Sequence, residues 1–283
     1  MSTQPEQLKS WLRVPGVAWP TLLLAVSSLA MWGLSVWGVA TERLGLGWGV
    51  LWSTVAFYGL FTPMHEASHQ SASRHRWVNE VLGRICGYAM LGVFVGFRHI
   101  HLEHHRHTNE PDRDPDMWSA TGPAWALPLR WMTQDLYYHV YFTRELRHRP
   151  VAERWEVLVT GVALTTALVG LLCSEWVWLT LLLWVLPLKI AFTLLSYSFD
   201  YLPHTPHQIT SAEDRYGATL ARPHPLLRWL LLQQDLHVVH HLYPAVPFYR
   251  YAGIWRLQGD DLIAHGVQVR SLTGQILGAP SAL

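Results

Sequence analysis

Charge is scarce in this chain. Only 14% of its 283 residues are Asp, Glu, Lys or Arg, where a soluble domain carries about a quarter. Much of its surface therefore has no need to face water. Cysteine is nearly absent: Cys86 and Cys173 sit in separate apolar runs and form no pairing pattern. An iron–sulfur cluster, which takes about four thiolates, is excluded. No glycine-rich dinucleotide fingerprint is visible, so no flavin or nicotinamide site explains a redox activity. The net charge is +1 and no basic tract is long enough to follow a phosphate backbone, which leaves no nucleic-acid partner. No small-residue cleavage site follows the first apolar run, so that run reads as an anchor and not as a cleavable leader.

What is present is apolar and aromatic. Half of the residues are hydrophobic, with 16 Trp and 11 Tyr, and both aromatics gather at membrane–water interfaces. Residues 17–40, 45–64, 157–173 and 176–197 form four long apolar runs. At about 1.5 Å per residue, each run suits a roughly 30 Å hydrocarbon layer. The connections 41–44 and 174–175 are short, so the runs pair as two antiparallel hairpins. The expectation is an all-α integral membrane fold: four transmembrane helices in two hairpins, interfacial helices, and a histidine-rich cap, forming one domain over 1–283. Residues 1–16 make a polar N-terminal segment, and 65–156 and 198–259 carry the cap. Nearly all Lys and Arg lie in those segments and not in the two tight turns. By the positive-inside tendency the cap faces the cytosol, across a cell (inner) membrane. Pro187 should kink the last span, and Lys189 within it should face the protein interior or a polar cavity.

Seventeen histidines are the other excess. They concentrate in three boxes: His65-Glu-Ala-Ser-His69, the stretch His101-Leu-Glu-His104-His105, and His237-Val-Val-His240-His241. On a helix, residues three and four apart share a face, so each box reads as a patch of imidazoles pointing one way. A lone pair of this kind is more often a surface or core feature than a ligand. Three boxes together are another matter, and eight imidazoles exceed the need of one four-coordinate ion, so they read as a two-metal site. Box one follows the second span, box two lies in the same connection and box three follows the fourth span, so all three emerge on one side of the membrane. Residues 81–97, apolar with Gly83, Gly87, Gly92 and Gly96, are ambiguous; a full crossing would separate box one from box two. A half-inserted or interfacial helix keeps them together, and a fifth span is the alternative. His204, after a proline-broken turn, is a plausible ninth donor. Asp112, Asp114 and Asp116 could accept the second ring N–H of a ligating histidine, or could simply make a solvated loop. The run 144–154 is basic enough to meet lipid headgroups or an acidic partner, or to be a solvated face.

Three longer matches are more specific: Arg98-His-Ile-His-Leu-Glu-His-His-Arg-His-Thr-Asn-Glu-Pro-Asp-Arg-Asp-Pro-Asp116, Phe199-Asp-Tyr-Leu-Pro-His204, and His237-Val-Val-His-His-Leu-Tyr-Pro244. With the box order, they resemble the membrane fatty-acid desaturase/hydroxylase superfamily and, within it, bacterial carotenoid (β-carotene) ring hydroxylases of the cyanobacterial type. The resemblance implies a non-haem di-iron centre with two iron ions, O2 as co-substrate, and an external electron donor such as ferredoxin. Carried over by position, His65, His69, His101, His104, His105, His237, His240 and His241 would be ligands, with His204 the ninth. Asp112, Asp116 and Asp200 are expected in the surrounding layer. The metal centre itself would be the catalytic group.

The functional expectation is therefore an O2-dependent oxidoreductase hydroxylating a membrane-dissolved lipid, a carotenoid ring first and an acyl chain second. One departure from the resemblance matters. Box one of that group often has Asp after its first histidine, and here Glu66 makes a literal H-E-x-x-H, the zinc-protease motif. That rival class uses one box and leaves two idle. A non-catalytic protein with structural metal is a third class.

Overall fold

In a computed structural model, residues 4–271 and 273–277 are described; Met1 to Thr3 of the expected polar N-terminal segment lie outside them. The architecture is helical. Helix α1 (Gln4–Leu12) is followed by a hairpin of α2 (Trp19–Ala40) and α3 (Leu46–Ser68). The turn is tight: the amides of Arg43 and Leu44 both donate to Gly38 O, at 2.8 and 2.9 Å. A second hairpin joins α7 (Val151–Leu172) to α8 (Val177–Tyr201).

Three helices, α2, α7 and α8, are long and apolar enough to cross a membrane. The fourth expected span, α3, is long enough at 23 residues but less apolar. Most of α3 from Ala56 onward is buried in protein, so it keeps Ser53, Thr54 and Thr62 and ends in box one. Helix α7 is the opposite case, apolar with no buried residue, a surface that only lipid suits.

The expected kink at Pro187 takes a specific form. Proline has no N–H, so the carbonyl four residues earlier loses its helical donor. That carbonyl, Leu183 O, accepts instead from Trp32 Nε1 of α2 at 2.9 Å. The preceding turn, Leu181–Val185, is widened to π geometry.

Residues 81–97 are not one helix. Helix α4 (Arg76–Ala89) and α5 (Phe94–His107) meet at 103° across a four-residue break. Leu91 takes a left-handed φ of +55°, and Gly92 N donates back to Gly87 O at 2.8 Å. The Phe94 ring lies over Gly83, where a Cβ would come within 2.3 Å of it. The elbow is pinned by charge: Arg84 reaches Glu80 at 2.6 Å and Glu156 of α7 at 2.8 Å, and Arg98 reaches Glu80 at 2.6 Å. This turn brings α5 and box two alongside the end of α3.

The rest is cap: α6 (Leu127–Glu145), α9 (Pro225–Leu230), α10 (His237–Leu242) and α11 (Tyr251–Ala264). Among the described residues, a minimal parallel pair, β1 (Leu220–Ala221) with β2 (Gln268–Val269), and an isolated antiparallel bridge between Arg270 and Ile276 depart from an all-helical expectation. Two cores result. One, around Phe57, Leu60, Phe94 and Leu195, joins the hairpins. The other, around Leu236, Val238, Tyr251 and Ile254, organises the cap. Lys189 binds Asp135 of α6 at 2.6 Å, on the wall of a cavity described below.

Candidate metal centre

Box one lies where α3 ends, box two on the second half of α5, box three on α10, and His204 in the turn after α8. The structure gathers all nine side chains into two clusters. His65, His69, His101, His105 and His240 form one; His104, His204, His237 and His241 form the other. Within each, one nitrogen per ring lies within 4.8 Å of every other. The boxes do not stay whole. His104 leaves box two for the four-histidine cluster, and His240 leaves box three for the five-histidine cluster.

The ring nitrogens meet tip to tip. His69 Nε2 lies 2.7 Å from His101 Nε2, and His105 Nε2 lies 2.8 Å from His240 Nε2. His241 Nε2 sits 3.3 Å from His104 Nε2 and 3.0 Å from His237 Nε2. Metal–imidazole bonds of about 2.1 Å at angles near 90–109° space neighbouring donors about 3.0–3.4 Å apart, close to these values.

Proton counting points the same way. His104 Nδ1–H donates to Asp114 Oδ1 at 2.9 Å and lies 3.2 Å from Asp116 Oδ2. His237 Nδ1–H donates to Gln234 Oε1 at 2.6 Å. His237, held neutral with its proton on Nδ1, turns a bare Nε2 toward His241 at 3.0 Å. Both nitrogens of buried His65 and His204 have no protein partner. Convergent buried ring nitrogens without protein partners fit bound metal.

Electrostatics prepares them as ligands. Burial, reinforced by neighbouring imidazoles, holds His101, His105, His204, His237, His240 and His241 well below the ordinary histidine range, and His69 down to about 3. These rings stay neutral with a lone pair free. His104 differs: burial pushes it down, but Asp114 and Asp116 reverse this and raise it to about 9.

The surrounding layer is partly as expected from the chain. Asp116 is at His104, and Asp200 lines the cavity described below. Asp112 is a correction: it is exposed on the outer side of the loop. Asp114 holds the inner place because its carboxylate caps the next turn, accepting from Asp116 N and Asn109 N. Gln234 and Tyr251, whose Oη lies 3.1 Å from His240 Nδ1, were not singled out from the chain; Gln234 stands three residues before His237, a spacing that could have flagged it. His99 and His107 belong to neither cluster. His99 packs on Phe142 and His107 reaches Glu110 at 3.1 Å.

An apolar cavity of about 380 Å³, walled by Phe61, Met90, Phe97, Phe142, Leu188 and Phe192, lies on the far side of the Phe61 and Phe97 rings from the five-histidine cluster. Phe97 stacks on His101 with centroids 5.6 Å apart, and Phe61 on His65 at 5.8 Å. Its polar lining includes Tyr138, whose hydroxyl donates to Asp116 Oδ1 at 2.5 Å, and the Lys189–Asp135 pair. The arrangement can hold two cations side by side, with an apolar chamber against one of them.

Comparison with known proteins agrees with this geometry. A family model described as fatty acid desaturase matches residues 44–273. The chain is 26% identical to the sn-1 oleoyl-lipid 12-desaturase of Synechocystis sp., over 82% of this chain and 73% of that one. It is 26% identical to the sn-1 acyl-lipid omega-3 desaturase (ferredoxin) of Nostoc sp., over 68% of this chain and 61% of the other. It is 28% identical to the beta-carotene ketolase of Haematococcus lacustris, over 73% of this chain and 61% of that protein.

Proposed function

Since the chain belongs to the fatty acid desaturase family, and is an oxygen-dependent oxidoreductase of the membrane di-iron class, we propose that its two histidine clusters each hold one iron ion and that the pair oxidises a membrane-dissolved lipid. The observation that carries this reading is the gathering of nine imidazoles, drawn from segments far apart in the chain, into a five-histidine and a four-histidine set. Iron held there would supply what no side chain can, O2 activation and hydrogen abstraction from an unactivated C–H bond.

The chain's own residues supply the rest. Asp114, Asp116 and Gln234 hold the Nδ1 protons of His104 and His237, which fixes tautomer and ring angle and keeps each Nε2 turned inward. Phe61 and Phe97 line the chamber on one side and pack on His65 and His101 on the other. A substrate lying against them is thus placed at the five-histidine cluster and keeps water from it. Electrons come from a separate protein, with ferredoxin the specific choice because one relative carries it in its name. The centre faces the cytosol of a cell membrane crossed four times, as the distribution of Lys and Arg implies.

For the substrate, carotenoid ring hydroxylation is the first reading, supported by the extended box motifs and by similarity to a beta-carotene ketolase and a zeaxanthin 4-ketolase. Acyl-lipid desaturation is the second, supported by the similar oleoyl-lipid desaturases. Expression in a host that makes β-carotene, with pigments and fatty acids identified by mass, separates them. New hydroxylated pigment carries the first reading, an altered acyl profile the second, and neither product with iron-loaded protein would overturn both.

A further inference from the structure

The acidic residue of box one is left unused by the proposed chemistry, yet it is among the most buried polar groups in the chain. Glu66 is 1% exposed. Its Oε2 accepts from Thr21 Oγ1 of α2 at 2.5 Å, and its Oε1 accepts from the backbone N–H of Phe248. Thr21 is itself fully buried. Phe248 opens the short turn Phe248–Arg250 that leads into α11. Both carboxylate oxygens are thus committed, one to the first span and one to the C-terminal cap, and Glu66 belongs to neither histidine cluster.

The cap contact has a direct continuation. Three residues beyond Phe248 is Tyr251, 1% exposed, with its hydroxyl 3.1 Å from His240 Nδ1. His240 is the one ring of box three that crosses into the five-histidine cluster, where it lies 4.4 Å from the His65 ring centre and 2.8 Å from His105 Nε2. A line of contacts therefore runs from box one through Glu66, Phe248 and Tyr251 to box three, without passing through a metal.

We infer that Glu66 is a positioning residue: a buried clasp that sets the cap on the ends of α2 and α3 so that His240 reaches the five-histidine cluster. The zinc-protease reading of H-E-x-x-H needs this carboxylate as a general base facing metal-bound water. Here its oxygens are filled by two protein donors. Losing the carboxylate strands a buried hydroxyl and a half-buried amide and frees the cap to shift.

This inference rests on the proposed metal centre, and iron binding tests the two separately. Wild-type protein and the variants Glu66→Gln, Glu66→Ala and Thr21→Val are purified in detergent, loaded with ferrous iron, and compared for iron affinity, iron per chain and Mössbauer spectrum. Glutamine keeps an oxygen for Phe248 N–H and offers an N–H to Thr21, so Glu66→Gln is expected within about threefold of wild type in affinity, whereas Glu66→Ala loses about 10- to 100-fold. Thr21→Val removes one donor and should lose about threefold to tenfold, deciding the matter even where Glu66→Ala fails to fold. Undiminished iron affinity in Thr21→Val or in folded Glu66→Ala overturns the clasp. So does Glu66→Gln that keeps its iron and loses about 100-fold or more in turnover, since that marks proton transfer by the carboxylate. Wild-type protein that takes up no iron defeats the metal reading itself.

Discussion

The two histidine clusters are built differently. The four-histidine cluster is backed by polar groups: Asp114 and Asp116 on His104, Gln234 on His237. The five-histidine cluster has one polar backer, Tyr251 on His240, and is otherwise enclosed by Phe61, Phe97 and Phe199. The first has no donor to spare and a carboxylate charge behind it; the second has an extra imidazole and an apolar chamber in front. The difference suggests a division of labour, one half anchoring charge and the other meeting substrate.

That contrast can be broken most sharply at the proposed ligands. His237→Ala leaves three imidazoles in its cluster and His69→Ala leaves four. Both should lose product by more than about 100-fold, beyond what outer-layer changes cost. Iron content should fall toward one per chain in His237→Ala and stay near two in His69→Ala. Equal iron loss in the two, read by metal analysis, would erase the asymmetry. Asp114→Ala comes next, with iron affinity at the four-histidine side down about 10- to 100-fold. Phe97→Ala should leave iron in place and lower product formed per O2 consumed by about tenfold, because a loosened substrate pose suffices for such a loss. Tyr251→Phe, which removes a single neutral hydrogen bond, should weaken iron binding only about threefold to tenfold. His265→Ala and His148→Ala, at exposed positions outside both clusters, should match wild type in iron and in product by the same measurements.

Much of the site was legible because it is local. The three boxes stand out by spacing, and His204 stands out by its proline-broken turn. Lys189 was legible as an inward-facing charge in an apolar run, and its partner Asp135, 54 residues away, was not. The elbow at 90–93 was readable only as an ambiguity, since the glycines permit close packing without saying that Phe94 will fold over Gly83. The acidic loop left Asp112 and Asp114 as equals. A cap made by Asp114 on the following turn separates them, and that depends on how the loop closes over Asn109.

The chain by itself determined which imidazoles travel together. At 3.6 residues per turn, positions four apart differ by about 40° and positions three apart by about 60° the other way. His65/His69, His101/His105 and His237/His241 are all four apart, and each pair stays in one cluster. The odd members, His104 and His240, are turned toward the neighbour. Tertiary structure alone decided which pair meets which, how nine rings divide into five and four, and where carboxylates or aromatic rings stand behind them. Those outcomes depend on the α4–α5 elbow, tied to α7 by Arg84 and Glu156, 72 residues apart, and on the docking of the cap, where His105 and His240 are separated by 135, and no local spacing encodes them.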